Sequence, residues 1–157
     1  MRKGGAKAKG SSFENKTAKQ ILKAAGNQFT RTDCYRTPIS GGHPFASKNH
    51  PSDLVLSKKL RKVFPFSVEC KHYKKLELQH FFTRQGDFLK WIDQAMKATE
   101  NSRVAVEPMI VFRWNLSRTY CIVPWITHSG TYIRFRYRGK EWKVVLFASF
   151  LRQWFDK

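Results

Sequence analysis

Asp53, Glu69 and Lys71 are the side chains whose types and spacing suit phosphate chemistry. Asp53 heads the apolar run Leu54-Val55-Leu56, and Glu69 and Lys71 stand two apart in Phe66-Ser67-Val68-Glu69-Cys70-Lys71. Alternation along a strand puts Ser67, Glu69 and Lys71 on one face and Phe66, Val68 and Cys70 on the other. A neighbouring strand that starts after Asp53 would bring both acids and the amine to one end of the pair. Carboxylates gathered in this way repel one another and lose hydration unless a cation lies between them. Mg²⁺, with Mn²⁺ as its substitute, suits such a site, since a hard ion needs only one or two carboxylates when waters and a substrate phosphate complete its shell. Glu-x-Lys on a half-solvated strand is by itself ordinary surface decoration. The joint occurrence with Asp53 in an acid-poor chain is what favours a site.

The 157 residues carry 30 Lys+Arg against 11 Asp+Glu, a formal net charge of +19. That excess calls for a polyanionic partner, nucleic acid before anionic membrane, because each phosphate neutralised releases counterions. No apolar run approaches the about 20 residues of a membrane span, and the opening Met1–Gly10 has no apolar segment of the signal-peptide kind, so a soluble, cytoplasmic protein is expected. Cys34, Cys70 and Cys121 are odd in number, far apart and set in strand-like segments, as reduced core thiols are. Cys34 and Cys121, taken with His43, His50, His72 and His80, match no compact zinc pattern.

The elements that must position the three residues read in order. Residues 1–10 are expected to be a basic flexible tail, and 11–157 a single domain with 41% hydrophobic residues, enough for a real core. Ser11 or Ser12 should cap a first helix that buries Phe13, Thr17, Ile21, Leu22 and Ala25 and stops at Gly26. Ser11-x-x-Glu14 matches a capping box, so Glu14 serves either a backbone amide or, through water, a metal. A strand over 28–38 leads into the loop Ser40-Gly41-Gly42-His43-Pro44, which extends to His50. A basic connector follows Leu56, and a second helix over 86–98 buries Phe88, Leu89, Ile92, Ala95, Met96 and Thr99. Its Lys90 and Gln94 default to surface. Strands over 109–112 and 119–123 follow. A hairpin turning at Arg138-Gly139-Lys140 then puts Ile133, Phe135 and Tyr137 on one face and Tyr132, Arg134, Arg136 and Arg138 on the other, before a closing helix with Phe147, Phe150, Leu151, Trp154 and Phe155. The plan is mixed α/β.

The succession Pro51-Ser52-Asp53, spacer, Glu69-Cys70-Lys71 resembles the PD-(D/E)XK nuclease superfamily, and within it the archaeal-type and phage Holliday junction resolvases. Gly10-Ser11-Ser12-Phe13-Glu14 is similar to their Gly/Ser-rich opening with a first-helix glutamate, and Ser40-Gly41-Gly42 to the loop after their first strand. The likeness covers about residues 10–115. Two features depart from it: Ser52 separates the proline from the aspartate, and the longer 40–53 stretch leaves Ser40, Ser47 and Ser52 competing for one role.

The resemblance implies a restriction-endonuclease-like mixed β-sheet flanked by helices, with an added C-terminal hairpin and helix. It implies Asp53, Glu69 and the Cys70 backbone carbonyl as ligands of Mg²⁺, Lys71 and Glu14 as catalytic partners, Ser40 as a further site residue, and a homodimer cutting four-way junctions or other branched DNA. Lys16, Arg31, Arg36, Lys48, Lys74 and Lys75, with the stripe Arg134, Arg136 and Arg138, are the residues expected to meet phosphates. The rival readings are a nuclease of the same fold without junction preference, and a non-catalytic basic nucleic-acid-binding protein.

Overall fold

The computed structural model describes residues 5–38, 52–124 and 128–156, with side chains from residue 9 onward. Consecutive apolar residues at 109–112, 121–123 and 144–146 leave no polar face, so these segments form strands buried on both faces. They are β4 (Glu107–Trp114), β5 (Tyr120–Pro124) and β7 (Lys140–Leu146), flanked in a five-stranded sheet by β3 (Phe66–Tyr73) and β6 (Tyr132–Tyr137). The order is β3-β4-β5-β7-β6, with β3 and β4 parallel and the remaining pairs antiparallel.

Met109, Val111, Cys121, Val123 and Val145 face one layer and Ile110, Phe112, Ile122, Trp142 and Val144 the other. The first layer is built from α1 (Gly5–Ala25), which contributes Phe13, Ala18, Ile21 and Ala25, and α5 (Phe147–Phe155), which contributes Phe147, Phe150 and Leu151. The second is α4 (Phe88–Glu100), which packs Phe88, Trp91, Ile92 and Ala95, with Phe81 of the short α3 (Gln79–Thr83). This is a mixed sheet flanked by helices, consistent with the restriction-endonuclease-like fold. The expected C-terminal hairpin extends that sheet through the pairing of β7 with β5. Its two-residue turn, Arg138-Gly139, has φ of 52° and 73°, the paired positive values of a type I′ turn.

Several boundaries differ from the sequence expectations. α1 begins at Gly5, taking in part of the basic stretch read as a tail, so Ser11 is not its cap and Glu14 sits in the middle of a continuous helix. The Ala and Lys residues before Ser11 are good helix formers, so the helix starts earlier than the serines. The strand expected over 28–38 shrinks to β1 (Cys34–Arg36), because Asp33 accepts the Thr30 N–H at 2.8 Å and folds 30–33 into a turn. The basic connector forms α2 (Lys58–Val63), capped by Ser57, whose hydroxyl accepts the Leu60 N–H at 3.1 Å. His72 and Tyr73, read as part of a crossover, continue β3.

Candidate active site

β2 (Leu54–Leu56) is fully buried and pairs antiparallel with β1, Arg36 opposite Leu54. It does not join the main ladder. Asp53, immediately before it, bridges the two sheets: its N–H donates to the Val68 carbonyl (3.1 Å) and its carbonyl accepts the Thr37 N–H (2.9 Å). The adjacency of Asp53 to β3 therefore comes from one crossing point rather than from two paired strands. Thr37 also donates its hydroxyl to the Ser52 carbonyl (2.8 Å), and the Ser52 hydroxyl donates to the Leu54 carbonyl (2.8 Å), which fixes Ser52 as a support of this corner.

The Asp53 carboxylate accepts the Cys70 N–H at 2.7 Å. On β3 the carbonyls of Pro65 and Tyr73 accept N–H groups of Glu107 and Asn115, so odd-numbered residues direct their backbone groups toward β4. Val68 and Cys70 direct theirs to the free edge. A strand residue presents N–H and C=O on the same side, so the Cys70 carbonyl also looks toward Asp53.

Glu69 is 2% exposed and faces α4. The Gln94 amide donates to its carboxylate at 3.3 Å, the Lys71 ammonium lies 3.6 Å away, and Lys71 donates to the Gln94 amide oxygen at 2.9 Å. Gln94 is exposed, as the sequence implies by default, and still ties Glu69 to Lys71 from the neighbouring helix. Only its helical position relative to Trp91 and Ala95 hinted at this. Glu14 reaches the same corner from α1, where it is ion-paired with Arg36 of β1. The functional site expected on 53, 69, 71 and 14 is brought together; Ser40 and Lys48, like Pro51, lie outside the described residues.

Burial pushes Asp53, Glu69 and Glu14 above the ordinary carboxyl range. For Glu69 the charge of Asp53 adds to burial and the ammonium of Lys71 opposes it, leaving it at about 8. A hydrogen bond between the two carboxyls raises Glu69 and lowers Asp53. Two buried carboxyls sharing a proton form a site that a dication would suit better, since it satisfies both charges at once. Among the described residues no group of three or more His, Cys, Asp and Glu side chains converges to hold a metal. Two carboxylates and a carbonyl nevertheless fit Mg²⁺ or Mn²⁺, which keep several waters, better than Zn²⁺, which takes nitrogen and sulfur ligands.

The expected phosphate contacts divide into two groups. Lys16, Arg31, Lys74 and Arg136 are exposed, as is Lys75, which lies 3.9 Å from Glu77. Arg36 is engaged with Glu14, Arg134 with Glu141, and Arg138 with Asp93 at 3.1 Å. The hairpin faces follow the expected alternation, Phe135 buried and Arg134 and Arg136 exposed, and all three cysteines lie in strands as reduced thiols. Among the described residues no helix is long and apolar enough to cross a membrane.

A family model described as phage putative PDDEXK endonuclease matches residues 5–148. No curated protein and no solved structure gives a significant match.

Proposed function

The chain belongs to the phage PDDEXK endonuclease family, and from that premise we propose that it is a Mg²⁺-dependent DNA endonuclease acting on branched DNA, four-way junctions above all. The observation that carries the nuclease reading is the meeting of Asp53, Glu69 and Lys71 at the free edge of β3, with the Cys70 backbone beside them. In this reading Asp53, Glu69 and the Cys70 carbonyl hold the ion. A divalent ion there supplies a more acidic attacking water and offsets charge on the scissile phosphate.

The chain's own groups do the rest. Lys71, held by Gln94, presents an ammonium beside the carboxylates, where it orients the attacking water or neutralises charge as the 3′ oxygen leaves. Glu14, set by Arg36, adds a carboxyl on the α1 side of Asp53 and can hold a water there. Preference for branched DNA rests on the resemblance to junction resolvases and on basic surfaces that meet backbone and shape rather than base edges. A homodimer, with one site for each of two strands, follows from the same resemblance.

The test is cleavage of an immobile four-way junction, a nicked duplex and a linear duplex of matched sequence, with Mg²⁺ and with EDTA. Paired symmetric cuts in the junction, faster than those in the linear duplex, support the reading. Equal rates leave a nuclease without junction preference, and persistent binding without any cutting leaves a non-catalytic binder.

A further inference from the structure

We propose that the cleft between α1 and the ends of β3 and β4 is a binding pocket for a DNA phosphate next to the one that is cut. This rests on the nuclease reading for its ligand. The cleft, about 290 Å³, is lined by Lys9, Ser12, Phe13, Lys16, His72 and Arg113. Lys9, Ser12 and Lys16 are spaced i, i+3, i+7 and so share one face of α1. His72 and Arg113 are register partners on adjacent parallel strands.

Among the described residues no carboxylate lines the cleft, while three cationic side chains and a hydroxyl do. Both imidazole nitrogens of His72 and the Nε of Arg113 are buried and find no hydrogen-bond partner among the described residues. Buried polar groups ordinarily have partners, so these mark a place prepared for a ligand with acceptor oxygens. A phosphate offers such oxygens and carries the charge that Lys9, Lys16 and Arg113 would neutralise. The Phe13 ring, tilted against His72 at 5.6 Å between centroids, forms an apolar wall that holds the imidazole in place. His72 shares the α1 face of β3 with Cys70, whose N–H meets the Asp53 carboxylate, and Phe13 directly precedes Glu14, so the pocket lies on the α1 side of the acid corner while Lys71 faces α4. A strand laid across the edge of β3 would meet both. The shared chemistry admits an internal phosphodiester or a phosphate at a chain end.

The experiment is DNA binding by the full chain in EDTA, read by fluorescence anisotropy over a range of salt, for the wild type, Arg113→Gln, Lys16→Gln and, as a control on α4, Lys97→Gln. Lys16 is exposed, so its variant keeps the fold, and Arg113→Lys keeps the charge should Arg113→Gln prove unstable. The pocket variants should bind about three- to tenfold more weakly than the control, with a salt slope lower by about one. A set of duplexes carrying one neutral methylphosphonate each, and a pair with 5′-phosphate and 5′-hydroxyl ends, then locates the phosphate: the position that matters to the wild type should no longer matter to the Arg113 variant. Pocket variants with the affinity and slope of Lys97→Gln overturn the proposal, even where the wild type cuts DNA normally. A wild type that neither binds nor cuts overturns the nuclease reading and this proposal with it.

Discussion

Raising the pH of the metal-free protein from about 5 to about 9 should weaken it, and Glu69→Gln should remove most of that loss. Glu69 is buried beside Asp53, and its carboxyl moves from the ordinary 4.5 to about 8. Because the folded-state value lies above the unfolded one, the contribution is fully present below about pH 4.5 and is lost as the pH rises through about 8. A shift of that size corresponds to at most about 5 kcal/mol. At this chain length each kcal/mol moves the melting temperature by roughly 2–4 °C, so the drop is large enough to read directly. Asp53 and Glu14 are raised as well and push in the same direction, so the difference between wild type and variant isolates Glu69. Glutamine keeps the shape of the side chain, carries no charge at any pH and can donate to Asp53. The assay is urea unfolding in EDTA at a series of pH values. Parallel curves for the two proteins would refute the buried, proton-sharing pair.

Four other outcomes follow from the same geometry. Mg²⁺ or Mn²⁺ should raise the melting temperature of the wild type at about pH 8 and release about one proton on binding near pH 7, measured calorimetrically in buffers of different ionisation enthalpy, whereas Asp53→Asn should lose both effects. Gln94→Ala should slow single-turnover cleavage about 10- to 100-fold and leave DNA affinity in EDTA unchanged, because it frees Lys71 and Glu69 without removing either. Arg36→Gln should destabilise by about 1–3 kcal/mol in denaturant unfolding by stranding Glu14, and adding Glu14→Gln should recover much of that loss. Gly139→Ala should cost about 1–2 kcal/mol in the same assay through backbone strain alone, since φ is 73° and a Cβ there meets nothing within 4 Å among the described residues.

Much of the fold could be read from period-two patterns. β3 and the hairpin announce themselves by alternation, β4 and β5 by apolar runs, and α5 by apolar spacing, whereas on α4 only Phe88, Ile92 and Ala95 of the expected side are fully buried and Trp91 and Ala98 join them. What alternation cannot show is the partner of each strand. β2 reads like a central strand because it is buried throughout, yet it pairs with β1 in a separate two-stranded sheet. The Asp53 corner was legible as residue types, while its construction was not, because the Val68, Thr37 and Cys70 bonds are made by backbone atoms that any sequence supplies. Gln94 and the Arg36–Glu14 pair were hidden for a different reason: each joins residues more than twenty positions apart, and only the packed helices bring them together. Ser11 misled because a capping-box pattern inside a strong helix former is silent when the helix starts earlier. The unpartnered nitrogens of His72 and Arg113 belong to the same class, since register between β3 and β4 makes them neighbours.

The central claim is that Asp53, Glu69 and Lys71 form one catalytic unit, and DNA cleavage measured beside DNA binding tests it most directly. Asp53→Asn, Glu69→Gln and Lys71→Ala should each bind DNA in EDTA within a fewfold of the wild type and each fall by about 10³-fold or more in single-turnover cutting with Mg²⁺, with combined changes costing little beyond the single ones. Variants that cut at the wild-type rate would contradict the account.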